Sequence, residues 1–293
     1  MNIHIEGSFY MNMQNKIQNL TFTNYWMFST VMSQEENLGI AKTMIEVITK
    51  RKVEHLAFHG TEVTEKPFFS SRGVRYDVKF IGDNKIYILE MQNYYDNLMQ
   101  RSIAYHSVEK VKHLKPGEGY DALVETIVIF LCPFDYFELG EAKYTLEWRE
   151  IHHPELNPQC GCTTILLNTS ARSKDKALDA LLQYCKGAEA EDALTKNIEE
   201  AVERIKNNEV VMEEYMRFED YVQHERKEGI QQGMQQGIQQ GIQKGLQQGI
   251  EERNKEICIS MLEQNLDISI IEKTTGLSKE EILAIKNKFI NHR

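Results

Sequence analysis

Two carboxylates and an amide are the residues of this chain best suited to chemistry. Asp77 and Glu90 stand thirteen positions apart, and Gln92 follows Glu90 after one methionine. Two carboxylates that share a divalent cation can hold it against a phosphate, activate a bound water and offset charge on a leaving oxygen. The carbonyl of Met91 offers a third oxygen ligand. The set indicates a one- or two-metal phosphodiesterase site, although solvated or capping acids would also explain Asp77 and Glu90.

The amide occupies the place where such sites commonly carry a lysine. Gln92 can orient an attacking water but brings no positive charge, so we expect a slower reaction or help from a neighbouring cation. Arg101 and Tyr105 are four residues apart and share a face if they lie on a helix, from which they could contact the phosphate or assist Gln92. Packing and pairing alone would also account for these two residues.

The element that must position Asp77 is a strand at residues 73–81. Its residues alternate, so the apolar side chains from Val74 to Phe80 are predicted to share one face, and Asp77 the other. A turn at Gly82-Asp83-Asn84 then reverses the chain.

The element that must position Glu90 is a second strand at residues 86–92, rich in β-branched and aromatic residues. Glu90 and Gln92 are two positions apart and therefore share a face. We expect Asp77, Glu90 and Gln92 at the exposed ends of two adjacent strands.

Further elements are expected around this hairpin. They are a helix or helix pair at 24–50, a first strand near 53–58, a helix at 98–114, and strands at 123–131, 143–148 and 163–167. This order predicts an α/β fold with a central mixed β-sheet flanked by helices, followed by a helical C-terminal region.

The composition is that of a soluble globular protein. The chain has 293 residues, 41% apolar and 27% charged, enough for one sizeable core. Residues 1–18 lack the features of a signal peptide, and the longest apolar run, 127–132, is far below the roughly 20 residues of a membrane span. Five scattered cysteines indicate reduced thiols and a cytoplasmic location. The histidines and Cys-x-Cys motif within 152–162 lack a common zinc spacing, so a plain loop is favoured.

The charge is unevenly distributed. A net charge of −10 argues against nucleic acid as a partner. Residues 66–115, however, carry nine Lys/Arg against five Asp/Glu, a local balance of +4. A positive rim around an acidic centre would suit a phosphate backbone held over a metal. A mixed-charge solvated surface fits the charges equally well.

Four sequence blocks carry a family resemblance. They are Arg72-Gly-Val-Arg-Tyr-Asp77, Glu90-Met-Gln92, Arg101-Ser-Ile-Ala-Tyr105-His-Ser and Ile127-Val-Ile-Phe-Leu-Cys132-Pro-Phe-Asp. In this order they resemble the recombination-promoting nuclease / putative transposase family of the PD-(D/E)XK nuclease superfamily, over about residues 20–170. The resemblance implies a restriction-endonuclease-like core and Mg²⁺-dependent DNA endonuclease activity, with Mn²⁺ as an alternative metal. It also implies links to recombination, mobile elements or defence.

The resemblance also assigns roles to individual residues. It makes Asp77 and Glu90 metal ligands and places Gln92 at the position of the superfamily lysine. Tyr76 stands where the superfamily motif has proline, a position that is commonly degenerate.

Further assignments concern accessory residues. Arg101 and Tyr105 become accessory to the site. An acidic residue on the first helix often completes such sites, and Glu36 or Glu35 is the candidate here.

A four-residue repeat at 229–250 is the second conspicuous feature. It contains six glycines, each followed by Ile, Met or Leu, with Gln at most other positions. A period of four shifts the apolar stripe by about 40° per repeat on a helix, and each interior glycine costs about 1 kcal/mol. The repeat predicts either a low-complexity tether or a helix completed by a second copy, since small residues let backbones approach.

The repeat separates a globular part from a small tail. We expect a nuclease-like domain at 1–172, a helical extension at 173–227, the repeat at 228–252 and a helical module at 253–293. In the tail, Ser278 to Glu281 forms a capping box, and the helix order resembles a helix-turn-helix with 279–293 as recognition helix. A packing or dimerisation module explains the tail as well as a DNA reader.

Two classes of function fit these observations. The first is a metal-dependent DNA endonuclease that uses Asp77, Glu90 and Gln92. The second is a catalytically silent protein that keeps the nuclease fold and assembles partners, or a homo-oligomer, through its tail.

Overall fold

The computed structural model describes residues 15–65 and 74–290. Arg72 of the first sequence block and Arg293 of the predicted recognition helix lie outside the described residues. The chain forms two compact units, Met1–Arg217 and Phe218–Arg293.

The helices and strands follow the order expected from the sequence. The α-helices are α1 (Tyr25–Ser33), α2 (Leu38–Thr49), α3 (Leu98–His113), α4 (Lys176–Lys186), α5 (Ala193–Lys206), α6 (Glu209–Glu263), α7 (Ile268–Thr275) and α8 (Lys279–Ile290). The strands are β1 (Ala57–Glu65), β2 (Val74–Gly82), β3 (Lys85–Met91), β4 (Glu125–Cys132), β5 (Lys143–Leu146) and β6 (Cys162–Asn168). Short 3₁₀ turns lie at Glu35–Asn37 and Tyr120–Ala122.

The sheet of the first unit is mixed, as predicted. Its six strands run in the order β1-β2-β3-β4-β6-β5. The β3/β4 and β4/β6 pairs are parallel, and the other neighbours are antiparallel. Strand β4 is central and almost wholly buried, which explains why its sequence is nearly continuously apolar.

Helices cover both faces of the sheet. One face packs against α1, α2, α4 and α5 in a single apolar cluster. The other packs against α3 in a second cluster that includes Leu98, Tyr105, Ile88 and Phe130. Helices α4 and α5, which belong to the predicted 173–227 extension, therefore share the core of the nuclease-like region.

The turn between β2 and β3 sets the register of the hairpin. Asp83 and Asn84 have φ values of 48° and 57°, as a two-residue type I′ turn requires. The carboxylate of Asp83 accepts the backbone N–H groups of Glu54 and His55 at 2.7 and 3.0 Å. A Cβ on Gly82 would overlap the backbone carbonyl of His55, so a glycine is required there.

The first strand begins later than predicted. The sequence predicts it near 53–58, whereas β1 begins at Ala57. The backbone N–H of Val53 donates to the Glu46 carboxylate at 2.9 Å, and the next two N–H groups donate to Asp83. These donors are therefore committed to side chains rather than to a strand ladder.

The second unit contains most of α6 together with α7 and α8. Cys258, Ile271 and Ile282 form its buried centre. The predicted capping box is present, because the Ser278 N–H donates to the Glu281 carboxylate at 2.8 Å and the Glu281 N–H donates to Ser278 Oγ at 3.3 Å.

The Gly/Gln repeat is continuous helix within α6. Its six apolar side chains are all exposed, from 49% at Ile250 to 67% at Ile242. Over the described ranges, no helix combines the length and apolarity needed to cross a membrane.

Candidate active site

The hairpin strands separate where the carboxylates lie. Backbone pairing of β2 with β3 runs from Gly82/Lys85 to Val78/Leu89, whereas β3 continues beside β4 to Met91/Leu131. The pairing of β2 with β3 thus ends one residue before Asp77 and Glu90.

The two carboxylates replace the missing ladder bonds. Glu90 Oε1 accepts the backbone N–H of Asp77 at 3.0 Å, and Asp77 Oδ2 accepts the backbone N–H of Met91 at 2.8 Å. Each acid thus binds the backbone of the opposite strand. The pair is held in a gap of the sheet and is buried, rather than lying at exposed strand ends as expected.

The predicted alternation of β2 holds for Val78 and Phe80 but is wrong on the N-terminal side of Val78. Val78 and Phe80 pack in the cluster of α1 and α2, whereas Tyr76 packs in the cluster of α3 and meets the Tyr105 ring edge-on at 4.8 Å. The change of face coincides with the loss of pairing to β3. Simple alternation assumes a strand paired evenly on both sides, whereas here the ladder to β3 ends at Val78 and the ladder to β1 continues to Val74.

Glu90 lies at the centre of the polar contacts. Its Oε2 accepts a hydrogen bond from Arg101 Nη2 at 2.9 Å and lies 3.4 Å from the Tyr105 hydroxyl. Burial, followed by the negative charge of Asp77, raises the pKa of Glu90 to about 8. The charge of Asp77 is therefore close enough to destabilise the charged form of Glu90.

Arg101 connects three polar side chains. Its Nη2 donates to Gln92 Oε1 at 2.7 Å as well as to Glu90, and its Nη1 donates to Asp96 at 3.2 Å. The guanidinium lies 5.1 Å from the centre of the Phe130 ring. Burial lowers the pKa of Arg101 and the charge of Glu90 raises it, with a net upward shift.

Gln92 is held at both ends of its amide. Its oxygen accepts from Arg101, and its Nε2 donates to the backbone carbonyl of Tyr94. The expected neighbouring cation therefore exists, since the guanidinium of Arg101 directly contacts the amide that stands in the lysine position.

Tyr105 connects the helix to both strands. Its hydroxyl donates to the backbone carbonyl of Arg75 at 2.9 Å, besides its contact with Glu90. Burial raises the pKa of Tyr105, so the phenol stays protonated at neutral pH and acts as a donor.

The glutamates proposed from the first helix lie elsewhere. Glu36 lies in the 3₁₀ turn after α1, is 65% exposed and pairs with Arg204 Nε at 3.3 Å. Glu35 is exposed in the same turn. Within 15–65 and 74–290, no three or more Asp, Glu, His or Cys residues are grouped so as to hold a metal. The structure thus brings together Asp77, Glu90, Gln92, Arg101 and Tyr105, but neither glutamate joins them.

The donor set fits a hard divalent cation. Mg²⁺ binds through one or two carboxylates and keeps several waters. Each carboxylate offers about four lone pairs, so a carboxylate that accepts a backbone hydrogen bond, as Asp77 and Glu90 do, can bind a cation as well. The Met91 N–H points towards Asp77, and the carbonyl of the same residue in an extended strand points to the same side.

A buried ion pair beneath the site was not singled out from the sequence. Lys79 Nζ donates to both oxygens of Glu109 at 2.9 and 2.7 Å, and both side chains are 0% exposed. Spacing could have indicated this pair. Glu109 lies four residues after Tyr105 on α3, and Lys79 lies two residues after Asp77 on β2, so by spacing each is expected to share a face with a candidate site residue.

The histidine- and cysteine-containing segment does not form a metal site among the described residues. Cys160 is exposed, and both it and Cys162 line a cavity of about 690 Å³. This cavity contacts Glu125, at the start of β4, whereas Glu90 and Gln92 lie at the carboxyl end of the parallel strand β3.

Comparison with known proteins agrees with this geometry. A family model described as PD-(D/E)XK nuclease family transposase matches residues 22–233, more than two thirds of the chain. The comparisons with curated proteins and with solved structures gave no match. The matched segment runs from before α1 into α6 and includes the split hairpin and α3. The chain therefore belongs to the PD-(D/E)XK nuclease family transposases.

Proposed function

We propose that the protein is a Mg²⁺-dependent DNA endonuclease, with Mn²⁺ as an alternative metal, that acts in recombination, mobile-element activity or defence. Asp77, Glu90 and the Met91 carbonyl would hold the cation. The observation that supports this most strongly is the crossed carboxylate pair in the gap between β2 and β3, where burial and mutual repulsion favour a cation. Family membership supports DNA as the substrate.

A bound divalent cation would supply Lewis acidity to the scissile phosphate and would acidify a coordinated water. Glu90 must lose its proton before it can act as a ligand. Gln92 orients the attacking water through its amide. Arg101 contributes positive charge beside that amide and offers a guanidinium to the phosphate. Tyr105 positions Glu90 by joining it to the backbone of β2.

The test is plasmid cleavage by the full chain with Mg²⁺, beside Asp77→Ala and Glu90→Ala. We expect each substitution to lower cleavage by about 100-fold or more, because the removed group contacts the metal. Asp121→Ala, at an exposed acid, is the matched control and should cleave normally. Mg²⁺ should also raise the Tm of the wild type but not of Asp77→Ala. Cleavage that survives both substitutions would exclude this site.

A catalytically silent interaction protein is the second candidate. Two observations favour it, namely an amide at the lysine position and a row of exposed apolar side chains along α6. Absence of cleavage by a folded wild-type protein with Mg²⁺ or Mn²⁺, on supercoiled, linear and single-stranded DNA, would support this candidate over the nuclease.

We also propose that the repeat in α6 associates with a second copy of the chain. Between 229 and 250 the only charged residue is Lys244, so two such helices can pair with little charge repulsion. Ile238→Gln with Ile242→Gln should lower the molar mass measured by light scattering, because both side chains are more than half exposed and are not needed for the fold. Replacement of the exposed Glu213 and Glu214 by Gln is the control. An unchanged mass for the isoleucine variant, or for a chain ending at Val222, would disprove the association.

A further inference from the structure

Two chain segments rich in aromatic residues leave the sheet at the edge that carries the candidate active site. Tyr94 and Tyr95 follow β3 directly, and Phe134, Tyr136 and Phe137 follow β4. Because β3 and β4 are parallel, both segments leave the sheet at its Glu90 edge. Tyr94 and Tyr95 are 68% and 67% exposed.

Four of these rings, Tyr95, Phe134, Tyr136 and Phe137, form one connected array. Together with the neighbouring Tyr94 they make up what we call the aromatic platform. Tyr95 stacks on Tyr136 with centroids 5.1 Å apart and planes 10° apart, and it lies 5.5 Å from Phe134. Phe137 meets Tyr136 edge-on at 5.1 Å. Tyr94 makes no ring contact with any residue that the structure describes. The platform thus presents ring surface to solvent.

Hydrogen bonds hold the two segments of the platform in place. The carboxylate of Asp135 accepts the backbone N–H groups of Phe137, Glu138 and Gly140 at 2.7 to 3.2 Å. It also accepts the Tyr144 hydroxyl at 2.7 Å. The charge of Asp135 is therefore engaged within its own loop, which fixes the rings of that segment before any ligand binds.

The candidate active site holds the other segment. Gln92 donates to the Tyr94 carbonyl, and Arg101 binds Asp96 two residues further along. The Asn93 amide donates to the carbonyl of Thr23 at 3.0 Å. The backbone that carries the two exposed tyrosines is therefore held by Gln92 and Arg101, and Arg101 also binds Glu90.

Single exposed aromatic residues are common on protein surfaces and need no explanation. Two adjacent exposed tyrosines beside an ordered ring array and a nuclease-like site indicate a binding surface. Nucleobases stack on such rings with little dependence on sequence, at about 1–3 kcal/mol per base. Bases inside a duplex are already stacked on each other and do not offer their faces. The nearby exposed acid, Glu138, also makes this surface unsuitable for phosphates, which would be left to Arg101.

We propose that Tyr94 and Tyr95 stack the bases of an unpaired DNA strand, so that the strand reaches the carboxylates single-stranded or locally unpaired. This inference rests on the proposed function for the choice of DNA and deepens it by naming the form of the substrate. Stacking itself requires no metal and no cleavage, so it can be measured separately.

The experiment measures binding of a fluorescent mixed-sequence oligonucleotide to the full chain in EDTA, as a single strand and as a duplex. For Tyr94→Ala with Tyr95→Ala we expect about a 10-fold or greater loss of single-strand affinity and less than about a 2-fold change for the duplex. Tyr94→Phe with Tyr95→Phe keeps both rings and should bind as the wild type does. Tyr120→Ala, at a tyrosine 84% exposed beside the cavity at the start of β4, is the matched control.

Equal losses for both DNA forms, or unchanged single-strand binding by a double-alanine variant with wild-type Tm, would overturn the proposal. Wild-type protein that prefers duplex to single strand would also overturn it. Asp77→Ala separates the two proposals, because it should retain single-strand affinity while losing cleavage. A wild type that binds single strands through the tyrosines but cleaves nothing would refute the nuclease and retain the platform.

Discussion

The two ends of α3 each place an ion pair against the sheet, with opposite polarity. Near its C-terminal end the helix supplies the acid, Glu109, to Lys79 of β2, and both are fully buried. Near its N-terminal end it supplies the cation, Arg101, to Glu90 of β3, and Arg101 retains 24% exposure. The first pair places one buried cation against one buried acid, and His113 Nδ1 lies 3.4 Å from the same carboxylate.

Around the second pair the acids outnumber the cation among the described residues, because Asp77 and Asp96 share the surroundings of Arg101 with Glu90. Buried charge without a full complement is costly, and groups in that position either take up protons or bind cations. We infer from this difference that a buried ion pair with matched charges serves the fold, whereas an excess of acids over the cation suits the metal site proposed above.

The largest expected effect is on the balanced pair. Lys79→Ala leaves Glu109 buried without its main cation, so we expect the free energy of unfolding to fall by about 3–5 kcal/mol. Urea titration measures this loss. Lys52→Ala, at a pair exposed to solvent, is the control and should change stability by less than about 0.5 kcal/mol.

A double variant, Lys79→Met with Glu109→Leu, separates charge from packing. It removes both charges and should recover much of the stability lost in Lys79→Ala. If Lys79→Ala were as stable as the wild type, the Lys79–Glu109 pair would not stabilise the fold, and the contrast with the Arg101–Glu90 pair would be lost.

The next effect concerns catalysis rather than stability. Arg101→Lys keeps a positive charge but cannot reach Glu90, Gln92 and Asp96 together, so we expect kcat/KM for DNA cleavage to fall by about 10- to 100-fold. Stability of the metal-free protein at neutral pH should change by less than about 1 kcal/mol, because the raised pKa of Glu90 keeps this carboxyl largely protonated and so less dependent on a cation. Arg149→Lys, at a pair on the surface, is the control. Full activity in Arg101→Lys would show that the guanidinium of Arg101 is not needed for cleavage.

The smallest effect is a dependence of stability on pH in the metal-free protein. The pKa of Glu90 is raised to about 8, so between about pH 4.5 and 8 the folded chain keeps a proton that the unfolded chain releases. Stability from this group is complete below that range and is lost as pH rises through it, by at most about 1.4 kcal/mol per pH unit.

Urea titrations at several pH values, on wild type and Glu90→Gln, isolate this effect. The difference between the two proteins cancels the opposite contribution of His106, whose pKa burial lowers to about 4. Excess Mg²⁺ should stabilise the wild type most at high pH, where Glu90 is free to bind it. Parallel pH profiles for the two proteins would contradict the prediction, because they would show that burial and the charge of Asp77 do not raise the pKa of Glu90 in the folded protein.

The sequence predicted the sheet well where local patterns decide it, and it predicted which of the candidate side chains lie together around Glu90. The turn residues Asp83 and Asn84 identify the hairpin, and period-two spacing places Glu90 and Gln92 on one face. The four-residue spacing of Arg101 and Tyr105 correctly places both on one side of α3, where each contacts Glu90.

Tertiary features were not predictable in the same way. Local alternation could not show that side chains replace the ladder at Asp77, which moves Tyr76 to the other face. The burial of Lys79 could not be predicted from local pattern, because only the docking of α3 brings Glu109 over it. Glu36 was chosen from the family pattern, and its partner Arg204 lies 168 positions away in the chain. The sequence could not decide whether the repeat is a helix or a low-complexity tether, because its six glycines oppose a helix.

The turn at Gly82 has a consequence for genetics. It lies five residues from Asp77, about 17 Å along an extended strand, and contacts no residue of the site. A side chain there would push the hairpin away from His55, and a slip of one residue would turn Asp77 and Glu90 to opposite faces. In a screen for variants that no longer cleave DNA, replacements of Gly82 should therefore be recovered beside those of the carboxylates, although the position itself performs no chemistry.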